Sequence, residues 1–177
     1  MEKWLDDERI FMKAHGLDGN LSEDMRMQRY LAIPEKLRLA FEREQAGRFF
    51  VELDRCHGSC VLRNPDVAKL VVGPLDFHHG RTMQCCDFVV MPNHVHAILA
   101  PLPGQKLEVL LQSMKRYSAN RINAFLDRKG SLWQKESYDH IVRDDTELHR
   151  IRAYIENNPA KAKLKPGEYH YHKAEWL

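Results

Sequence analysis

The stretch "CCDFVVMPNHVHAILAP", residues 85–101, constrains the fold more than any other part of the chain. Two apolar runs, 85–91 and 94–101, flank the pair Pro92-Asn93, which has the chemistry of a tight turn. That pattern predicts a β-hairpin, and a hairpin is stable only inside a larger sheet or under a helix. Side chains alternate across a strand, so His94 and His96 point to one face and Val95 to the other. Two imidazoles side by side suit a divalent metal, although two ligands cannot hold one alone. The same short pattern also describes two surface histidines on an edge strand.

The rest of the 177 residues supplies helices for that sheet, in a length that fits one domain with an appendage. Residues 3–14 and 22–46 read as helical and polar, with Pro34 starting a fresh helix whose Leu37 and Phe41 face inward. This N-terminal piece is expected to end at Gly47, after which "RFFVELDRC" (48–56) reads as a strand. "NPDVAKLVVGPL" reads as a helix begun near Asn64, with Val67, Leu70 and Val71 inward and Gly73-Pro74 as its end. A long helix is predicted from Leu107 to Arg128, where Leu107, Leu110, Leu111 and Met114 keep helical spacing and Gly130 stops it. Residues 131–142 are irregular or a short strand. Asp144 or Asp145 caps a last helix running to about Asn157, ended by Pro159. This order of elements predicts an α+β fold, an antiparallel sheet with helices on one face.

Charge adds a weak asymmetry. Residues 1–100 carry 13 Lys/Arg against 15 Asp/Glu; of the chain's 27 and 25, that leaves 14 and 10 for residues 101–177. The second part is therefore the anion-facing one. No apolar stretch approaches the ~20 residues of a membrane span, and the charged N-terminus is no signal peptide. Cys56, Cys60, Cys85 and Cys86 fit a reducing compartment, with Cys85 and Cys86 on opposite faces of one strand. A Cys56–His57–Cys60 zinc site is conceivable but lacks a second ligand pair.

In "AYIENNPAKAKL", Tyr154 and Asn158 stand four residues apart on one helical face. Tyr154 offers a hydroxyl nucleophile, and Asn158 a carbonyl oxygen able to complete a His94–His96 metal site. A metal beside a tyrosine, on a domain with a basic second half, describes phosphodiester transesterification. A packed tyrosine and a helix C-terminal asparagine describe the two residues equally simply. Tyr117 is the alternative nucleophile: it lies among Lys115, Arg116 and Arg121, with Asn120 or Asn123 near it. Arg121 stands at its i+4 position, where a guanidinium cannot ligate a metal, so Tyr154 is preferred. Lys115, Arg116 and Arg121 read as a phosphate-contacting face or a merely solvated one. Trp133 is a candidate for base stacking or for the core, and His140 for contact with the scissile phosphate.

"VVMPNHVHAIL", "LWQKESYDHIVRD" and "YIENNPAKAKL", in that order, resemble the REP-associated tyrosine transposases, bacterial relatives of the single-tyrosine transposases of IS200/IS605 type. The resemblance covers about residues 47–165. It implies a ferredoxin-like HUH nuclease fold, Mg²⁺ or Mn²⁺ as cofactor, and single-stranded hairpin DNA (REP-like palindromes) as substrate. It implies that His94, His96 and Asn158 hold the metal. Tyr154 then cleaves the strand to leave a 5′-phosphotyrosine and a free 3′-OH, and runs the reverse joining reaction. The domain organisation expected is a helical extension over 1–46, the catalytic domain over 47–165 and a tail over 166–177, in which His170 and His172 are available for DNA contact. A monomer or homodimer in the cytoplasm, at the nucleoid when bound to DNA, is the matching expectation. The alternative is a catalytically silent regulator that binds DNA hairpins with the same fold; a metal-dependent RNA-processing nuclease is more distant.

Overall fold

A computed structural model describes residues 9–55, 58–135 and 137–175. The proposed Cys56–His57–Cys60 site, and the first part of the helix expected over 3–14, fall outside the described residues. The chain divides into two compact units, Met1–Glu52 and Leu53–Leu177.

The first unit is helical, as its polar sequence predicts. Residues 9–14 are helical, and α1 (Glu23–Ala32) opens on Ser22, whose side chain accepts from Met25 N, with Glu23 and Asp24 in the first turn. α2 (Glu35–Asp54) restarts after Pro34 and runs straight through Gly47. The expected strand over 48–56 is therefore corrected: residues 48–54 are helix. Phe49, Phe50 and Val51 have strand propensity, but a helix already propagating gains a backbone bond with each residue added. Gly47 offers no left-handed stop. Phe41 stacks on Phe11 with centroids 3.7 Å apart. Leu37 is 47% exposed instead of inward, because the apolar residues of α2 are spread around its axis. Leu53 and Asp54, the last residues of α2, belong to the second unit.

The second unit is α+β. A single 3-10 turn, Val61–Arg63, leads to α3 (Pro65–His78), capped by Asn64 and started by Pro65. Val67, Ala68, Val71 and Leu75 are buried at helical spacing. Gly73-Pro74 does not end α3, which continues to His78. Pro74 is itself buried, so its ring packing offsets the one missing backbone bond, worth about 1 kcal/mol, and Gly73 has no Cβ to clash with the proline ring. The hairpin forms where expected, β1 (Met83–Val90) antiparallel to β2 (Val95–Pro101). A bulge at Cys86 and Asp87 shifts the register between Cys85 and Phe88. α4 (Leu107–Phe125) buries Leu110, Met114, Ser118 and Ile122. α5 (Asp145–Lys161) is capped by Asp144 and passes through buried Pro159 for a further half-turn, not stopping at Asn157. β3 (His170–His172) pairs with the other edge of β1, giving the order β2-β1-β3. Residues expected to be a tail thus supply a strand.

The sheet is covered on both faces, which corrects the expected one-sided arrangement. Met83, Cys85, Phe88 and Val90 join α3 and α4 in one core cluster. Val89 and Met91 join Ile155 of α5 in a second. Continuous apolarity in "FVVM" is the signature of a strand buried on two sides. His96 pairs with Val89, and Met91 N donates to His94 O, so both histidines lie on the α5 side.

Candidate active site

Four of the residues singled out in the sequence meet on that side of the sheet. His94 and His96 approach Nε2 to Nε2 at 3.0 Å. Tyr154 on α5 brings its hydroxyl to 3.4 Å from His96 Nε2, and its ring meets the His96 ring edge-on. Asn158, one turn further along α5, is fully buried. The i, i+4 relation places it beside Tyr154, as the helix geometry predicts.

A fifth residue completes the cluster and escaped the sequence reading. Asp54, the last residue of α2, accepts from Tyr154 Oη at 3.2 Å through Oδ2 and from Asn158 Nδ2 at 3.0 Å through Oδ1. Its Oδ1 lies 3.6 Å from His94 Nε2 and 3.8 Å from His96 Nε2, beyond hydrogen-bond length. No local motif marks Asp54, because it stands 40 residues before His94 in a segment that reads as strand. Asn93 also does more than turn the hairpin. Its Oδ1 takes the proton of His94 Nδ1 at 2.7 Å, and its Nδ2 donates to Leu53 O at 3.3 Å. His94 is thereby held with its Nε2 lone pair toward Asp54 and His96, the tautomer a metal ligand needs.

The electrostatics favour a cation. Burial raises the Asp54 carboxyl, but its contacts with His94, His96 and Asn158 outweigh burial and hold it well below the usual carboxylate range. Burial lowers His96, keeping the ring neutral, and the nearby Asp54 only partly opposes this. Burial, reinforced by the Asp54 charge, pushes the Tyr154 phenol well above its ordinary value. An anion, neutral imidazole and a neutral amide thus face one another.

Donor chemistry passes the same test. Asp54, His94 and His96 present one ligand atom each, all within 4.8 Å of one another. Cis ligands on an octahedral ion with bonds of about 2.1 Å stand about 3.0 Å apart, the spacing of the two Nε2 atoms. Asn158 Oδ1 is buried without a hydrogen-bond partner. Turning that amide over would set its oxygen 3.0 Å from Asp54 Oδ1, a contact that a shared cation would stabilise. The cluster is compatible with a divalent metal.

The other candidates lie elsewhere. Tyr117 is 55% exposed on α4, the helix that packs on the opposite face of β1 from His96. Lys115 donates to the carbonyls of Gln134 and Lys135 and fastens the 131–135 segment onto α4. Arg116 and Arg121 are exposed on that helix, as is Asn120. Asn123 donates to Gly130 O. Trp133 packs against the first core cluster, and its Nε1 donates to Ser118 Oγ at 2.9 Å, the core option of the two considered. His140 meets Glu147 Oε1 at 3.0 Å near the start of α5. His170 and His172 are exposed on β3 and stack on Phe88.

Comparison with known proteins agrees with this geometry. Residues 76–158, which are 83 of the 177 residues and just under half the chain, match the family described as "Transposase IS200 like". The match includes both histidines, Tyr154 and Asn158. An uncharacterized protein of Haemophilus influenzae (strain ATCC 51907 / DSM 11121 / KW20 / Rd) is 27% identical over 94 residues, covering 41% of this chain and 52% of the relative. The chain spans about half the length of that relative. No solved structure matches. No helix among the described residues is long and apolar enough to cross a membrane.

Proposed function

We propose that the second unit is a metal-dependent single-stranded DNA endonuclease and strand transferase of the HUH single-tyrosine type, acting on hairpin DNA through a 5′-phosphotyrosine. The observation that carries this reading is the approach of Tyr154 Oη to His96 Nε2 and Asp54 Oδ2, at 3.4 and 3.2 Å. In it, Tyr154 is the nucleophile, and His94, His96, Asp54 and the amide oxygen of Asn158 hold Mg²⁺ or Mn²⁺. A cation held there would supply Lewis-acid polarisation of the phosphate, making the phosphorus easier to attack.

The chain's own groups do the rest. Tyr154 Oη forms the bond to phosphorus while the P–O3′ bond breaks; the phenolic proton leaves past Asp54 Oδ2 to solvent, and the departing 3′ oxygen takes a proton from water. Joining is the reverse. Asn93 keeps His94 in its ligating tautomer, and α5 fixes the nucleophile and Asn158 in one rigid element. The ferredoxin-like character of the sheet and a cytoplasmic, nucleoid-associated location belong to this same reading.

The test is incubation with labelled single-stranded hairpin DNA and Mn²⁺, followed by denaturing electrophoresis. A denaturation-resistant adduct should form, with the nucleotide on Tyr154 after digestion. Tyr154→Phe should abolish it, whereas Asp54→Asn and Asn158→Ala should slow it and respond to excess Mn²⁺. Hairpin binding without any adduct would replace the enzyme with a catalytically silent regulator. Adduct on Tyr117 would move the site to α4.

A further inference from the structure

We propose that Lys161 grips the phosphodiester backbone of the cleaved strand beside the nucleophile, in a track along the outer face of α5. This inference rests on the functional reading above and adds to it a substrate-binding residue outside the metal cluster and outside the family match, which ends at residue 158.

The Tyr154 ring has two differently dressed sides. His96 meets it edge-on at 5.1 Å between centroids, while the Lys161 ammonium sits 4.8 Å from the ring centroid. A cation over an aromatic face is held by the ring quadrupole, so this flexible amine is stationed at the tyrosine. Beside it lies an open, shallow depression on the helix surface, lined by Ala153, Tyr154, Asn157, Ala160 and Lys161. Its composition selects the ligand. The two alanines keep this face low enough for a bulky chain to lie across it. Asn157 commits its Nδ2 to Ala153 O, which leaves Lys161 as the charged group of the lining.

Two other cations of this unit are committed to carboxylates. Lys173 pairs with Glu156 and Arg63 with Glu168, whereas the contact recorded for Lys161 is the Tyr154 ring itself. An ammonium with spare donors, held over the ring of the tyrosine that must attack phosphorus, is placed to bind an anionic oxygen of that strand. Such a contact is of the backbone kind: it positions the strand in register and carries no sequence information.

The experiment uses the full chain and a labelled oligonucleotide with a hairpin and a single-stranded flank. Affinity without metal is measured across a salt series in EDTA, and the rate of covalent adduct formation is measured in Mn²⁺. Lys161→Gln should weaken metal-free binding several-fold, flatten the slope of log affinity against log salt by about 0.7, and slow adduct formation about tenfold. Lys161→Arg should restore most of both. Lys69→Gln, which removes an exposed charge from α3, should leave slope and rate unchanged. A Lys161→Gln protein with an unaltered slope and rate, in a chain that does form the adduct, overturns this inference alone. Failure of Lys161→Arg to restore either quantity also overturns it, since charge would then not be the operative property. If the unaltered chain neither binds the oligonucleotide nor forms an adduct, the functional reading falls and this inference falls with it.

Discussion

Arg152 and Asp87 face each other as a two-point ion pair, Nε to Oδ2 at 2.9 Å and Nη2 to Oδ1 at 3.1 Å. The pair joins α5, two residues before Tyr154, to the bulge of β1. The backbone of Ala174 closes it from a third side, donating to Asp87 Oδ1 at 2.9 Å and accepting from Arg152 Nη2 at 3.2 Å. Asp87 is 1% exposed. Removing one partner leaves the other charge buried, so Arg152→Met should destabilise the second unit by about 3 kcal/mol. Urea denaturation followed by circular dichroism measures this. A loss below 0.5 kcal/mol, by the range seen for exposed pairs, would mean the pair is solvated.

Trp133 separates packing from DNA contact. Trp133→Phe keeps most of the apolar contact and deletes the Nε1 donor to Ser118, whose hydroxyl still reaches Met114 O. The expected cost is about 1 kcal/mol of stability, with hairpin affinity unchanged. A loss of affinity on a scale of 1–3 kcal/mol, about the worth of one base–aromatic stack, would return Trp133 to the DNA surface.

The end of α5 carries a removable strain. Lys163 has φ +55°, and the turn is closed by Lys163 N to Ala160 O and Leu164 N to Pro159 O. Glycine is the residue that adopts this conformation without penalty. Lys163→Gly should raise stability by about 1 kcal/mol, read as an upward shift of the thermal midpoint. An unchanged or lower midpoint refutes the strain.

Burial pushes the Cys85 thiol up to about 12, with Cys86 and Asp76 adding to the effect. At pH 8 the native chain should therefore leave Cys85 unalkylated by iodoacetamide, while the urea-unfolded chain reacts at once; peptide mass spectrometry reads both. The sign of the pH effect follows. Between the ordinary thiol range, about 8.5, and about 12, the unfolded state loses a proton that the native state keeps. Stability contributed at this position is then present below the unfolded value and declines as pH rises through that window. Denaturation midpoints that rise from pH 8 to pH 10 in wild type relative to Cys85→Ala would contradict it.

How much of this was legible in the sequence depends on the range of each signal. The hairpin, the caps at Asn64 and Asp144 and the meeting of Tyr154 with Asn158 are local: turn chemistry, capping and helical spacing act within a few residues. Asp54 depends on a long-range fact, the continuation of α2 past Gly47, which local propensity contradicts. β3 is three residues long and polar, so nothing in its own composition announces a strand; it exists because β1 has an edge to fill. Pro74 and Pro159 mislead for a related reason. Both read as stops, and burial keeps both inside helices.

β1 receives its second partner late. Ala174 and Asp87 are 87 positions apart, and at ~5–20 residues per second of synthesis that separation is an interval of about 4–17 seconds. Throughout it, the edge of β1 that β3 later takes has no such partner, a template open to any passing strand. Non-local pairing of this kind also slows folding once the chain is free. Aggregation during expression should therefore respond to translation speed and to dwell at low temperature more than to the stability of the finished fold.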